Sequence, residues 1–241
     1  MSVKYTFSGH ESFPCRSLWL KKGYDFIKAS NDFNSPDAVV RLGVGKNMVS
    51  SIRYWMKVFG LYENENLTAL ASYIFDTENG KDQFIEDLGT LWLLHYSLVS
   101  RNEANLYNLL FVRLQKERHI FDRQQVILFV KRYLTEENKP NCFNENTVRQ
   151  DVGTLIQSYL LPEKPKSSED YAPLLMDLDL ICTLSESGNY QFNTDGKRLI
   201  PWQIFLFAII CHKGNDASVS YDMLQDIGLI FCMTDIEVIE M

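Results

Sequence analysis

Two stretches of this chain carry residue types and spacings that do chemistry elsewhere. The first is GVGK, Gly43 to Lys46. A phosphate-binding loop needs a glycine five positions before its Gly-Lys pair and a Ser or Thr after it to hold magnesium. Val40 stands at the first position and Asn47 at the second, so both requirements fail. The dinucleotide fingerprint fails as well, because Met48 occupies the place of its third glycine and no apolar strand precedes Gly43. The second stretch is FSGHESFPCRSLWL, from Phe7. A zinc-binding HExxH would need histidine at Pro14, and a GxSxG elbow would need glycine at Thr6. His10 and Glu11 remain as an acid/base pair or as a hydrogen-bonded structural feature.

The other candidates for chemistry are sparse. His95, in LWLLHYSL, is expected to satisfy a buried partner, while His119 and His212 lack second ligands at metal spacing. Cys15, Cys142, Cys182, Cys211 and Cys232 are scattered without a CxxC, which gives neither a zinc ribbon nor a disulfide framework. Reduced, mostly buried thiols are expected. No nucleophile, metal or cofactor constellation emerges, so the sequence predicts a protein that is not an enzyme and takes no cofactor.

Binding is better supported than catalysis. Between Ala38 and Gly60 stand Arg41, Lys46, Arg53 and Lys57 with no acid among them. In a helix from Lys46 to Phe59, the residues Met48, Val49, Ile52, Trp55, Met56 and Phe59 share an apolar face. Lys46, Ser50, Arg53 and Lys57, spaced i, i+4, i+7, i+11, form a stripe on the other face, flanked by Asn47, Ser51 and Tyr54. Such side chains donate to phosphates and base edges. A solvated helix face explains the same composition, but not the missing acids or the tight turn before it. Four contacts along the stripe predict a log–log salt slope near ~−3.6 on duplex DNA. A secondary basic surface is read at Arg113, Lys116, Arg118 and Arg123, where an ordinary solvated helix face is equally compatible.

The elements that must position these residues follow from punctuation and periodicity. Leu18 to Ala29 reads as a helix. Ser35-Pro36-Asp37 reads as the cap and first turn of a short helix that Gly43 stops, after which Gly45 starts the longer one and Gly60 ends it. This is a helix-turn-helix pattern. Leu67 to Phe75 fits strand or helix. Phe84 to Val99, Leu106 to Lys116, Arg123 to Leu134 and an Asn144-capped segment to about Leu160 read as helices. The last presents Arg149, Gly153 and Gln157 outward with Glu145 and Asp151 nearby. With a hairpin formed by Leu180 to Leu184 and Tyr190 to Phe192, it makes a winged-helix-like unit suited to structure or partner docking, its loop carrying Glu186 and no base. PEKPKSSED is a polar linker. WQIFLFAIIC, Trp202 to Cys211, is half the length of a membrane span and is expected to be a buried helix. TDIEVIEM, at the end of the sequence, reads as a helix start, and the fold is expected to stop short there.

The division that results is 1–100, a helix-turn-helix-containing domain; 101–195, a helical, winged-helix-like domain; and 196–241, a C-terminal helical segment. The fold class is mainly α with small β wings, an α+β arrangement on a helical core. Charge is uneven: Glu63 to Asp87 holds seven acids against Lys81, Arg113 to Arg132 holds six basic residues against two acids, and from Glu163 onward thirteen acids face five basic residues. A formal net charge of −7 therefore hides two basic islands that any polyanion would meet. No basic start precedes an apolar block at the N-terminus, so no secretory signal is read. The expected location is cytoplasmic, with association to the nucleoid as an option and no membrane partner.

The blocks FSGHESFPCRSLWLKKGYD (7–25), AVVRLGVGKNMVSSIRYWMKVFGL (38–61) and FIEDLGTLWLLHYSLV (84–99) resemble a prokaryotic family known as domain of unknown function 4007. Ala71 and Leu88 stand where that family commonly has glycine and proline, which bears on local turns. The resemblance implies neighbouring genes for phosphoadenylylsulfate-reductase-like proteins and for DNA phosphorothioation or phage defence, and hence an accessory role on DNA. It supplies no catalytic residues. The expected function is thus a DNA-binding accessory or regulatory protein of such a locus, with duplex DNA and co-encoded proteins as partners. The alternative is a non-catalytic adaptor that docks a partner enzyme through the acidic C-terminal half.

Overall fold

The structure, a computed structural model, describes residues 5–101, 103–161, 173–184 and 188–241. The linker read at PEKPKSSED and the hairpin-loop Glu186 lie outside the described residues. The chain opens with α1 (Trp19–Lys28), α2 (Ala38–Leu42) and α3 (Lys46–Val58). A two-stranded ribbon, β1 (Tyr62–Glu63) and β2 (Asn66–Leu67), then leads into α4 (Ala69–Phe75), capped by the Thr68 side chain. Leu67 to Phe75 therefore splits, with Leu67 in the ribbon, Thr68 as the cap and Ala69–Phe75 helical.

α5 (Leu88–Ser100) starts four residues later than its apolar pattern suggests, because Asp87 accepts from Gly89 N and fixes the first turn there. Next come α6 (Asn105–Asn108), a π-helical stretch (Leu109–Leu114) and α7 (Gln115–Glu117). β3 (Ile120–Phe121) precedes α8 (Arg123–Glu136), whose N-terminus carries a reciprocal Asp122–Gln125 capping box. α9 (Glu145–Tyr159) has the expected Asn144 cap, which accepts from Thr147 N at 3.0 Å. β4 (Ile181–Leu184) and β5 (Asn189–Phe192) form the expected hairpin, and β3 joins it antiparallel in the order β3-β5-β4. α10 (Trp202–Lys213), α11 (Tyr221–Ile230) and α12 (Asp235–Glu240) follow. Helices dominate and both sheets are small, which places the fold in the α+β class.

One cluster of buried apolar side chains runs from Phe7 to Val238. α5 lies inside it, with Leu91, Leu94, Leu98 and Val99 all buried. A fully buried side chain of this size contributes about 1.5–3 kcal/mol of transfer free energy, so α5 and the inner face of α3 are principal sources of cohesion.

Three expectations about local structure are corrected. The 35–37 cap does not form as read: α2 begins at Ala38, with Asp37 at its N-cap making no capping bond, and the Ser35 hydroxyl bonds the Asp37 carboxylate instead. α10 is not a buried helix. Only Phe205 and Ala208 are buried, while Trp202, Leu206, Phe207 and Ile210 are exposed. Of the thiols, only Cys15 and Cys232 are buried; Cys142 and Cys211 are exposed and Cys182 is intermediate.

Candidate nucleic-acid interface

Gly43 ends α2 in the left-handed region at φ 65°, where a side chain would be strained although no atom lies within 4 Å of the place its Cβ would take. The N–H groups of Gly43 and Val44 close the turn onto the carbonyls of Val40 and Val39, both at 3.2 Å. Gly45, extended at ψ 159°, is the N-cap of α3 and brings no side chain to it. The first-turn N–H groups of α3 thus emerge with no side-chain cap and no acid in that turn. Such N–H groups, at the positive end of the helix dipole, favour anions.

Beyond that turn, α3 divides as its periodicity predicts. Val49, Ile52, Trp55 and Met56 are buried, whereas Lys46, Asn47, Ser50 and Lys57 are exposed. Lys46 and Lys57 make no ion pair with any described residue, so their ammonium groups stand in solvent. Ser50 places its hydroxyl 3.5 Å from the Lys46 carbonyl.

The other residues read onto this face have different surroundings. Arg41 is held by the Asp37 carboxylate at 2.5 Å and by Asn31 Oδ1 at 2.5 Å. Arg53 donates to Asn34 Oδ1 at 2.7 Å and lies 3.4 Å from Glu65, and its Nε is buried with no partner. The acid-free stripe therefore borrows acids from the neighbouring turn and ribbon. Ser51 does not flank the stripe: it is fully buried and donates to the His10 carbonyl at 3.0 Å. Tyr54 is only partly exposed, its ring edge-on to His10 at 5.8 Å, and burial pushes its hydroxyl pKa up.

The secondary basic residues do not share one environment. Lys116 is ion-paired with Asp226 of α11. Arg123 bonds the Tyr190 hydroxyl at 3.1 Å and lies over its ring. Arg118 lines a groove with Leu128 and Arg132. Arg113 is exposed and lies near enough to Tyr5 to act on its hydroxyl.

His10 has a carboxylate partner, but it is not Glu11. Glu11 is exposed and left-handed at φ 49°. His10 Nδ1 accepts the Ser12 N–H at 3.0 Å, which leaves the proton on Nε2 to donate to Asp151 Oδ1 at 2.7 Å. Both residues are buried, so Asp151, read as standing near the outward face of α9, lies inside the molecule. Burial pushes the Asp151 carboxyl up, and the His10 hydrogen bond pulls against it. This pair ties the 7–15 loop to α9, while Ser51 ties the same loop to α3.

His95 is buried between two partners. Nε2 donates to the Ile230 carbonyl at 2.7 Å, and the Tyr159 hydroxyl donates to Nδ1 at 2.8 Å. Burial holds its pKa down at about 4. Among the described residues, no group of three or more His, Cys, Asp and Glu side chains is placed to hold a metal ion. No helix among them is long and apolar enough to cross a membrane.

With this geometry in place, comparison with known proteins gives a consistent family. Residues 7–241 match the family described as protein of unknown function (DUF4007). Two solved structures are similar over nearly the whole chain. An SspB crystal structure matches with a TM-score of 0.84 at 25% identity, covering 98% of this chain and 76% of that one. A magnesium ion-bound SspB crystal structure matches with a TM-score of 0.83 at the same identity and coverage. No curated protein matches. The chain belongs to the DUF4007 family.

Proposed function

We propose that this DUF4007 protein is a DNA-binding accessory or regulatory component of a prokaryotic defence or DNA-modification locus of the phosphorothioation type. It contacts duplex DNA through the outer face of α3, acts without catalysing a reaction itself, and works in the cytoplasm. The observation that carries this reading is the pairing of uncapped first-turn N–H groups with the free ammonium groups of Lys46 and Lys57 on one acid-free helix. These are phosphate-positioning features, and Asn47 and Ser50 between them reach base edges.

The order of elements supports the same reading. α1, α2, α3 and the β1–β2 ribbon follow the helix-turn-helix and hairpin order of a winged unit. The segment 105–117, β3, α8, α9 and the β4–β5 hairpin repeats it, with β3 pairing to the returning strand β5. On the second unit the outward Arg149 is neutralised by Glu145 at 2.6 Å, so we assign it to structure or partner docking.

The direct test is binding to labelled duplex DNA at low salt, followed by fluorescence anisotropy. Lys46→Ala and Lys57→Ala are each expected to weaken binding, and unchanged binding by both would remove α3 from the contact. A second reading, a non-catalytic adaptor for a partner enzyme of the same locus, draws on the exposed Trp202, Leu206, Phe207 and Ile210 of α10. Co-purification with a co-encoded protein that survives nuclease treatment and is lost in Phe207→Glu would favour it.

A further inference from the structure

Lys57, the last residue of the basic stripe, also lines a cavity of about 680 Å³ at the C-terminal end of α3. The 7–15 loop forms one wall, through Ser8 and Gly9, and Tyr54 and Arg101 line it too. We propose that this cavity takes one nucleotide unit, its phosphate on Lys57 and its base toward Tyr54 and Arg101. The proposal rests on the DNA-binding reading where the nucleotide comes from duplex DNA, and it stands apart from that reading where the nucleotide is free.

Four observations support it. The volume lies within the range of ligand-binding cavities, roughly 300–1,000 Å³. The lining offers donors without partners: the Lys57 ammonium and the Tyr54 hydroxyl bond no described residue, and Arg101 Nε is buried and unbonded. Acceptors stand beside them, since Glu63 and Glu103 line the same cavity and share one terminal nitrogen of Arg101. A phosphate alone would be opposed by those carboxylates, whereas the amino and carbonyl edge of a base uses both donors and acceptors. The wall holds strain at Ser8, whose φ of 112° lies where non-glycine residues rarely go, and it is closely packed at Gly9, where a Cβ would come within 2.6 Å of the Tyr54 ring. Backbone strain of this kind persists where the surroundings over-determine it, and binding sites are where it gathers. A duplex lying along the stripe reaches the cavity at Lys57, and a nucleotide turned out of the stack would enter it there.

Two measurements on the full chain test this. In the first, dAMP, dCMP, dGMP and dTMP are titrated by calorimetry, with inorganic phosphate as the control. Saturable binding of at least one nucleotide, weakened about tenfold in both Tyr54→Phe and Arg101→Lys, is expected, equivalent to about 1.4 kcal/mol in each. Both variants are checked by thermal melting, and Tyr54→Phe removes a single unbonded hydroxyl. In the second, duplexes carrying 2-aminopurine at successive positions are bound while anisotropy is recorded. A rise in fluorescence at one position, reduced in the two variants while anisotropy still reports binding, is expected.

Duplex binding without any 2-aminopurine change or nucleotide binding would overturn the cavity proposal and leave the α3 reading intact. Inorganic phosphate binding as tightly as every nucleotide would also overturn it, as would variants that bind like wild type. Nucleotide binding without duplex binding would uphold the cavity for a free nucleotide and reject the α3 reading.

Discussion

At the scale of single residues, the buried bonds of His10 and His95 make the sharpest predictions. Asp151→Ala would leave the His10 Nε2 proton buried without an acceptor. A destabilisation of about 3 kcal/mol in urea unfolding is expected, and Asp151→Asn, which keeps an acceptor oxygen, should lose about 1 kcal/mol. His95 predicts a pH dependence. Its folded pKa is held at about 4, against 6.5 for the unfolded chain. The unfolded state therefore takes up a proton first as the pH falls, so this contribution is complete above pH 6.5 and is lost on the way down to about pH 4. Between pH 7.5 and 5 the loss should be about 2 kcal/mol, and His95→Gln, less stable at pH 7.5, should show a flatter profile over that range. A wild-type profile as flat as the variant's would contradict the assignment. The sequence identified His95 as a buried, bonded histidine because it sits in an unbroken apolar run. It pointed His10 at the wrong carboxylate, because adjacency along the chain is not adjacency in space. Glu11 turns outward at a left-handed residue, and the true partner comes from 141 positions away.

At the scale of elements, local chemistry was readable where it is self-contained. Gly43 and Gly45 marked the turn because a left-handed stop and an uncapped start are conditions on the backbone itself. Gly43→Ala meets no neighbour, so its loss reflects only the positive φ and should be about 1 kcal/mol in thermal unfolding. A much larger loss would mean that the turn is packed in a way the geometry does not show. The apolar and polar faces of α3 were equally legible from a period of 3.6. What the period could not supply was the identity of neighbouring elements. Asn34 and Glu65 come from outside α3, and they engage Arg53, which the isolated stripe left free. The same limit explains α10. A run of apolar residues says that a helix avoids water somewhere along its length, but not how much of it another element covers.

At the scale of the whole molecule, the apolar cluster joining Phe7 to Val238 crosses both boundaries of the division read at 100 and 195. Urea unfolding followed by tryptophan fluorescence and by far-UV circular dichroism should therefore give coincident transitions, since Trp19, Trp55 and Trp92 are all buried in that cluster. Two separated transitions would instead support independently folding units. The net charge of −7 makes the location of positive charge decisive for any contact with DNA. Arg53 is shared with Asn34 and Glu65, and Ser50 carries no charge, so fewer than the four contacts read along the stripe release counterions. The most direct measurement is the salt dependence of duplex binding. Two free lysines predict a log–log slope of ~−1.8, or ~−2.7 if Arg53 leaves its partners for a phosphate, and Lys46→Ala and Lys57→Ala should each flatten it by ~0.9. A slope that neither substitution changes, or no duplex binding at low salt, would contradict the assignment of α3 to DNA.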